Sequence, residues 1–316
     1  MTDSASTLIT YSPAYTIVPT YECFNRCSYC NFRRDSGSSA WLSLAEAQRI
    51  LRSLHSYNVT EILILSGEVH PQSALRGAWF DRIYKLCELA LSEGFIPHTN
   101  AGILSFPEMK QLKPVNGSMG LMLEQVTPSL LETVHRRAPS KIPELRLQQL
   151  EWAGSLQIPF TTGLLLGIGE TRQDWEDTLN AIANLHKTWG HIQEVILQPH
   201  SPGSQQDYFA GAFSRDSLLE VITLARSILP PDITIQIPPN LVAEPNYLLA
   251  CLEAGARDLG GLGPKDEVNP DYPHPTPEKL ETILKDTPWR LVPRLPVYPQ
   301  YYDWLPPNLK QLLTKY

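Results

Sequence analysis

The segment FTTGLLLGIGETRQDWEDTLNAI, residues 160–182, contains two different secondary-structure signals in succession. Its first part, FTTGLLL, carries no charged residue, which is typical of a strand buried on both faces of a parallel sheet. Thr171 follows as a candidate helix N-cap, and Trp175, Leu179 and Ile182 then recur at helical spacing. The segment therefore predicts one complete unit of β-strand, loop and α-helix.

The same alternation of aliphatic runs and helical patterns extends along the whole chain. Ser43 with Glu46 forms a capping box, and Thr276 with Pro277 marks another helix start. Eight such units predict an α/β protein with a TIM-like (β/α)8 barrel, and function is expected where its strands end. The predicted strands are 15–18, 61–65, 95–98, 120–123, 160–166, 194–198, 234–237 and a weak one near Asp258.

The composition of the 316-residue chain excludes several classes of protein. Hydrophobic residues make up 42% and charged residues 19%, so the chain is expected to fold. No apolar run is long enough to cross a membrane, and the first residues lack the pattern of a secretory signal. The net charge of −7 argues against non-specific binding of nucleic acid. We therefore expect a cytoplasmic protein with no nucleic-acid or membrane partner.

The C-terminal part of the chain is unusually rich in proline. Of the 28 prolines, 11 lie in residues 264–316, which contain few contiguous apolar residues. Residues 1–286 are expected to form the barrel, and residues 287–316 a C-terminal extension packed on it rather than a separate domain. The prolines predict a stiff strap over the mouth of the barrel.

Three of the five cysteines, Cys23, Cys27 and Cys30, directly follow the first predicted strand. Thiolates bind zinc and iron–sulfur clusters. A structural zinc site needs four ligands, and Cys87 and Cys251 lie in apolar helical patterns typical of core residues. Nearby histidines could complete a zinc site, so that alternative stays open. Three cysteines without a fourth suit a [4Fe–4S] cluster with one open iron.

The CxxxCxxC spacing, with Tyr29 before the last cysteine, resembles the cluster loop of the radical S-adenosylmethionine (SAM) superfamily. The resemblance implies one [4Fe–4S] cluster held by Cys23, Cys27 and Cys30, with SAM on the fourth iron. It also implies reductive cleavage of SAM to a 5′-deoxyadenosyl radical.

Further segments resemble the SAM-binding elements of this superfamily. The sequence after the second predicted strand is similar to its GGE element, with serine in place of the first glycine. An acid ends the fourth strand and an arginine follows in PELRL, although local sequence alone equally allows this arginine to pair with neighbouring glutamates. The resemblance implies that SAM is bound by Tyr29, Ser66, Gly67, Glu68, Glu124, Arg146, Gly167 and Ile168.

One basic cluster interrupts this acidic chain. It is either a solvated helix flank or a group beside the SAM carboxylate or the substrate. Its members are His135, Arg136, Arg137 and Lys141.

Longer segments resemble the CofG family, the radical SAM subunit of 7,8-didemethyl-8-hydroxy-5-deazariboflavin synthase. These are CSYCNFRR, ILQPHSPG and GARDLGGLGPKDEVNPDYP. The resemblance implies a carbon–nitrogen lyase of coenzyme F420 biosynthesis, which cyclises the 5-amino-5-(4-hydroxybenzyl)-6-(D-ribitylimino)uracil adduct made by CofH and releases ammonia. It implies CofH or its product as the substrate source, and a one-electron donor such as ferredoxin or flavodoxin.

Neutral polar side chains near the strand ends are candidates to bind the uracil ring and ribityl chain of such a substrate. Each could instead cap a loop. Two other functions remain open: a different full-barrel radical SAM enzyme (CofH-like, biotin-synthase-like or hydrogenase-maturase-like), and a non-catalytic metal or iron–sulfur protein. The candidates are His98, Asn100, Gln198, His200, Asn240, Asp258 and Asn269.

Overall fold

The computed structural model describes residues 7–316, and within them a parallel sheet closes into a barrel. Ala14–Ile17 of the first strand pair with the second strand, and Thr10–Pro13 pair with the eighth. Eight strands with helices between them thus confirm the predicted (β/α)8 barrel. The strands are β1 Leu8–Ile17, β2 Glu61–Leu65, β3 Ile96–Asn100, β4 Ser118–Gly120, β5 Phe160–Leu166, β6 Ile192–Pro199, β7 Thr234–Gln236, β8 Asp258–Leu262 and β9 Arg290–Pro293.

The helices pack their apolar faces against the outside of these strands, where the two largest apolar clusters of the described residues lie. α5 begins after Thr171, whose hydroxyl accepts from the backbone of Asp174 in a capping box. No helix among residues 7–316 is long and apolar enough to cross a membrane. The helices are α1 Leu44–Ser53, α2 Arg76–Ser92, α3 Phe106–Leu112, α4 Pro143–Ser155, α5 Arg172–Trp189, α6 Arg215–Ile228, α7 Pro245–Ala254, α8 Pro277–Leu284 and α9 Pro307–Leu313.

The chain after α8 covers the end of the barrel where the strands begin. β9 pairs with Leu8–Tyr11 of β1. The Tyr301 hydroxyl donates to the carbonyl of Ile192, the first residue of β6. The Ser118 hydroxyl, at the start of β4, donates to the carbonyl of Pro296 at 2.5 Å. We call this end the floor of the barrel, and the end where the strands finish its mouth.

The expectation that the C-terminal extension covers the mouth is wrong. Ile96, at the start of β3, forms an apolar cluster with the extension, which buries Val297, Tyr301 and Leu309 there. The prolines indicated a stiff segment but carried no information about which end it covers. The mouth is covered by the first part of the proline-rich stretch, the segment after β8, where Tyr272 donates to the carbonyl of Pro202 at 2.8 Å.

A buried group of charges lies at the floor. The Arg294 guanidinium contacts both oxygens of Asp258, at 2.6 and 2.9 Å, and also contacts Glu194. The Tyr298 hydroxyl donates to Glu194 at 2.9 Å. Burial raises the pKa of Glu61 and raises that of Glu194 to about 7, although Arg294 opposes both shifts. The floor thus holds more acids than cations.

Candidate active site

The cysteine loop, residues 23–30, leaves β1 at the mouth of the barrel. Its sequence lacks a regular hydrophobic period, and its backbone is held instead by segments that follow β2 and β4. Three N–H groups of the loop donate to carbonyls there: Phe24 to Glu68 at 3.0 Å, Arg26 to Arg137 at 2.7 Å and Ser28 to Val134 at 3.1 Å. The loop is therefore fixed before any ligand binds.

The three thiols of the loop influence one another electrostatically. Burial raises the pKa of Cys23 to about 11, with Glu68 and Cys30 adding to the shift. Burial also raises the pKa of Cys27 to about 12, opposed by the charge of Lys141 and reinforced by Cys30. Thiols this close bind metal only as thiolates, so a cationic group is needed to hold all three deprotonated.

This donor set fits a [4Fe–4S] cluster better than a zinc ion. Cys87 and Cys251 are fully buried in α2 and α7, and Cys87 lies 3.3 Å from the hydroxyl of Thr99. In residues 7–316, no three His, Cys, Asp or Glu side chains converge on the position of one ion, as a tetrahedral zinc site requires. The thiolates of a cluster each bind a different iron and need not converge.

The segment after β2 packs against the chain where it enters the cysteine loop. Gly67 donates its N–H to Thr20 at 2.8 Å, and a Cβ there would overlap the carbonyl oxygen of Glu22. The Ser66 hydroxyl accepts from the Trp79 indole at 3.0 Å and therefore faces the α2 side. Of the three residues that resemble the GGE element, only Glu68 presents its side chain to the cavity.

Glu124 is the centre of a buried charge group on the cavity wall. Its φ of 63° is rare for a non-glycine residue and turns the chain just beyond β4. Lys141 contacts its carboxylate at 2.5 Å and Arg146 lies 3.7 Å away. Burial would raise the pKa of Glu124, but these two cations outweigh it and hold that pKa below its ordinary value.

The same three side chains give this wall a net positive charge. Arg146 is 2% exposed and donates to the carbonyls of Met122 and Ser140, at 2.6 and 3.1 Å. Pairing of Arg146 with neighbouring glutamates on the helix surface is therefore not its role in this structure. Two cations and one carboxylate leave one positive charge for a ligand carboxylate, which arginine binds through paired hydrogen bonds.

The remaining residues that were predicted to bind SAM do not all line the cavity. The Tyr29 ring lines the cavity, and its hydroxyl lies 2.9 Å from His135 Nε2. The N–H groups of Gly167 and Ile168 donate to the Glu170 carboxylate at 2.6 and 2.8 Å. Neither residue lines the two cavities of the lumen, because Ile168 packs with Leu130 and Val134 and the Gly167 carbonyl accepts from the Tyr208 hydroxyl.

The barrel lumen contains two connected cavities. The upper one, of about 310 Å³, lies at the mouth and includes Cys30 together with the charged wall. The lower one, of about 170 Å³, continues to the floor, where it reaches Arg294 and Glu194. Asn100, Gln198 and Asn269 line both cavities. The lumen can therefore hold a charged ligand near the cysteines and a second, polar ligand below it.

The other predicted substrate residues have different positions. His98 lines the lower cavity, where burial and Arg294 lower its pKa to about 3, so its ring is neutral. His200 lines the upper cavity. Asn240 lines neither and donates to Asp266 at 2.8 Å. Asp258 was predicted to flank the last strand at the mouth, and this position is wrong: it is the first residue of β8 and lies at the floor, bound to Arg294.

Two site residues escaped the sequence interpretation. Asn25, inside the cysteine loop, accepts from the Ser140 N–H at 3.1 Å and lies 3.8 Å from Cys23 Sγ. Its place between two cysteines was the signal that could have found it. Lys141 belonged to a basic cluster with two possible roles; the structure buries it beside Glu124 and leaves Arg136 exposed.

Comparisons with known proteins agree in sequence and in fold. A model of the radical SAM superfamily matches residues 17–182. A 7,8-didemethyl-8-hydroxy-5-deazariboflavin synthase of Trichodesmium erythraeum is 65% identical over 311 residues, covering 98% of both chains. The protein of that name from Trichormus variabilis is 68% identical and covers 98% of this chain and 91% of its own.

Two solved structures share the fold at much lower identity. The FeFe-hydrogenase maturase HydG from Carboxydothermus hydrogenoformans superposes with a TM-score of 0.73 at 19% identity, over 98% of this chain and 76% of the maturase. Methylornithine synthase (PylB) gives 0.65 at 14% identity, over 98% and 81%. At these identities the likeness concerns the fold alone.

Proposed function

Because the chain belongs to the radical SAM superfamily, and within it to the family of 7,8-didemethyl-8-hydroxy-5-deazariboflavin synthases, we propose that it is a radical SAM carbon–nitrogen lyase that makes this deazaflavin. Its substrate is the hydroxybenzyl–ribityliminouracil adduct produced by CofH, and it releases ammonia as the new ring forms. The reaction takes place in the cytoplasm, with ferredoxin or flavodoxin as electron donor, and serves coenzyme F420 biosynthesis.

One observation carries this proposal: the cysteine loop opens onto a cavity whose wall includes the Glu124, Lys141 and Arg146 group. Cys23, Cys27 and Cys30 would hold the [4Fe–4S] cluster. The chemistry that the cluster and SAM supply, when bound, is the reductive generation of a carbon radical that removes a hydrogen atom from the substrate.

The residues of the chain would bind and orient the two ligands of the lumen. Glu68 is placed to accept hydrogen bonds from an ammonium group, and Arg146 to donate to a carboxylate. The neutral amides of Asn100, Gln198 and Asn269 suit the carbonyl, N–H and hydroxyl groups of a uracil with a ribityl chain.

The floor of the barrel would protect the reaction from side products. A carbon radical attacks most C–H bonds, so the site must exclude water and stray reductants. The C-terminal extension closes the lower cavity at Arg294 and Pro296. Access is thus left to the mouth, where a bound ligand pair would fill the opening.

The test is a product assay with reconstituted protein. The protein is loaded anaerobically with iron and sulfide and incubated with SAM, dithionite and the CofH adduct. We expect 5′-deoxyadenosine together with the fluorescent deazaflavin. A protein that stays colourless and never cleaves SAM would contradict a radical SAM function. Formation of 5′-deoxyadenosine without the deazaflavin would leave the superfamily intact and refute the substrate.

A matched pair of variants tests the role of the lumen amides. Gln198→Leu alters a side chain that lines both cavities, whereas Gln311→Leu alters an exposed glutamine of α9. We expect Gln198→Leu to lower deazaflavin formation at least tenfold, an effect of about 1.4 kcal/mol or more, while SAM cleavage continues. Gln311→Leu should behave like the unmodified protein. Equal product yields in the two variants would contradict the assignment.

A further inference from the structure

A second opening reaches the cysteine loop from outside the barrel. This surface cleft, of about 270 Å³, is bordered by Cys27 and Cys30 and shares only Cys30 with the upper cavity of the lumen. The cysteine loop forms one side, and the segments around residues 133–137 and 205–207 form the others. The Asp207 N–H donates to the Ser28 carbonyl at 2.8 Å and so fixes the last of these segments to the loop.

The cleft is basic although the chain as a whole carries a net charge of −7. Its lining residues include one acid, Asp207, and four arginines. Two of the arginines share the Asp35 carboxylate, while the other two are exposed and form no ion pair within residues 7–316. The arginines are Arg26, Arg33, Arg136 and Arg137. Four arginines against the carboxylates of Asp35 and Asp207 leave the cleft with a charge of about +2. This charge attracts an acidic partner over distances near the Debye length.

An exposed aromatic side chain belongs to the loop that forms one side of the cleft. Phe209 is 93% exposed and stands two residues beyond Asp207. The intervening Tyr208 is anchored: its ring lies 5.0 Å from that of His200, and its hydroxyl donates to Gly167. Arginine and aromatic residues are enriched at protein interfaces and among the residues that contribute most to binding. The positive charge of the cleft is thus accompanied by an exposed aromatic residue on the adjoining loop.

The proposed function requires an electron at this position. Each SAM cleavage consumes one electron, and SAM and substrate fill the lumen during turnover, so a protein donor must approach the cluster from outside. Cys27 and Cys30 border the cleft, so a partner seated there comes within a short distance of the cluster that these residues would hold. A concave cleft accepts a redox group carried on a convex edge, as the exposed flavin edge of a flavodoxin is.

We propose that this arginine cleft is the docking surface for an acidic one-electron carrier of the flavodoxin class. The inference rests on the proposed function. In the step, the reduced flavin loses one electron and the cluster gains it, and no bond or proton is exchanged between the two proteins. The arginines of the cleft steer and hold the carrier, and Phe209 packs against it.

The first test measures binding without turnover. The double variant Arg136→Glu/Arg137→Glu is compared with Lys187→Glu/Lys285→Glu, which changes the charge equally at exposed positions outside the cleft. The Kd for oxidised flavodoxin is measured by calorimetry at low and high salt. We expect at least tenfold weaker binding in the cleft variant at low salt, a difference that shrinks at high salt, and an unchanged Kd in the control. Equal Kd values in the two variants, or no binding to the unmodified protein, would overturn the proposal.

The second test separates docking from the function itself. Dithionite is small and needs no docking surface, so the cleft variant should cleave SAM at the normal rate with dithionite. With flavodoxin, its KM for the carrier should rise about tenfold while kcat is kept. If the unmodified protein does not cleave SAM with dithionite, the proposed function is refuted, and the measured Kd for flavodoxin is unaffected. If the double variant cannot hold iron, the variant Phe209→Ala is tested in its place. Unchanged flavodoxin binding by Phe209→Ala would count against the proposal.

Discussion

Replacing Glu194 by glutamine should change how the stability of the protein depends on pH. Glu194 is 3% exposed, and one of its carboxylate oxygens accepts from both Arg294 and Tyr298. Its other oxygen accepts from the Thr161 hydroxyl at 3.1 Å. A glutamine can keep both sets of contacts, with its carbonyl toward Arg294 and its amide toward Thr161. The substitution therefore removes a charge and leaves the packing unchanged.

The size of the effect follows from the pKa of Glu194, which burial raises from 4.5 to about 7. Between these values the folded chain holds a proton that the unfolded chain has lost, so the free energy of unfolding falls as the pH rises. This acid costs about 1 kcal/mol at pH 5 and about 3 kcal/mol at pH 8. Glu194→Gln is free of that cost, so its stability relative to the unmodified protein should increase by about 2 kcal/mol between pH 5 and pH 8.

The assay is urea unfolding of both proteins at a series of pH values, with the difference taken at each. The buried histidines His98, His135 and His191 also make stability depend on pH, but they are common to both proteins and cancel in the difference. Glu253→Gln, at an exposed position of α7, is the control. Its free energy of unfolding should depend on pH in the same way as that of the unmodified protein. If the difference in unfolding free energy between Glu194→Gln and the unmodified protein stays constant from pH 5 to pH 8, the raised pKa of Glu194 is refuted.

Three further predictions concern the site. Cys27→Ala should abolish iron and sulfide uptake during anaerobic reconstitution, and Cys251→Ala should retain both. Metal analysis and the visible absorption spectrum measure the uptake in each variant. Lys141→Met leaves a buried carboxylate with only a more distant cation, so it should cost about 3 kcal/mol in urea unfolding. Because the pKa of that carboxyl then rises, the loss should be larger at pH 8 than at pH 5, and equal losses would contradict the ion pair. Gly67→Ala forces a Cβ into the backbone of Tyr21 and Glu22, just before the cysteine loop, and should cost about 1–3 kcal/mol, whereas Gly211→Ala, which has open space around it, should change the Tm little.

The barrel and the core of the site could be predicted because their signals are local. Strands such as β2 and β5 contain short aliphatic runs, and an acid such as Glu124 at the end of such a run is costly unless it has partners. The three cysteines of the loop are adjacent in sequence, so their spacing alone brings them together. In each case the residues that define the feature lie within a few positions of one another.

The errors concern features that depend on distant parts of the chain. β9 contains only four residues, two of them arginine and proline, and exists because it pairs with β1. The eighth strand was predicted only as a weak one near Asp258, since nothing local distinguishes the first residue of a short strand from the last. Ser66 follows its strand as predicted, but its orientation depends on Trp79, which lies 13 residues further on.

The pairing of β1 with β9 also has a consequence for the synthesis of the protein. Leu8–Tyr11 pair with Arg290–Pro293, so the ribosome must translate all of the chain between the two segments before they can meet. The edge of β1 that binds β9 therefore stays unpaired until residues 290–293 have been translated. Contacts of such long sequence separation slow folding, and unpaired edges favour aggregation while they last. We expect a nascent chain that has not yet reached residues 290–293 to be a strong client for chaperones, and to be released once β9 can pair with β1.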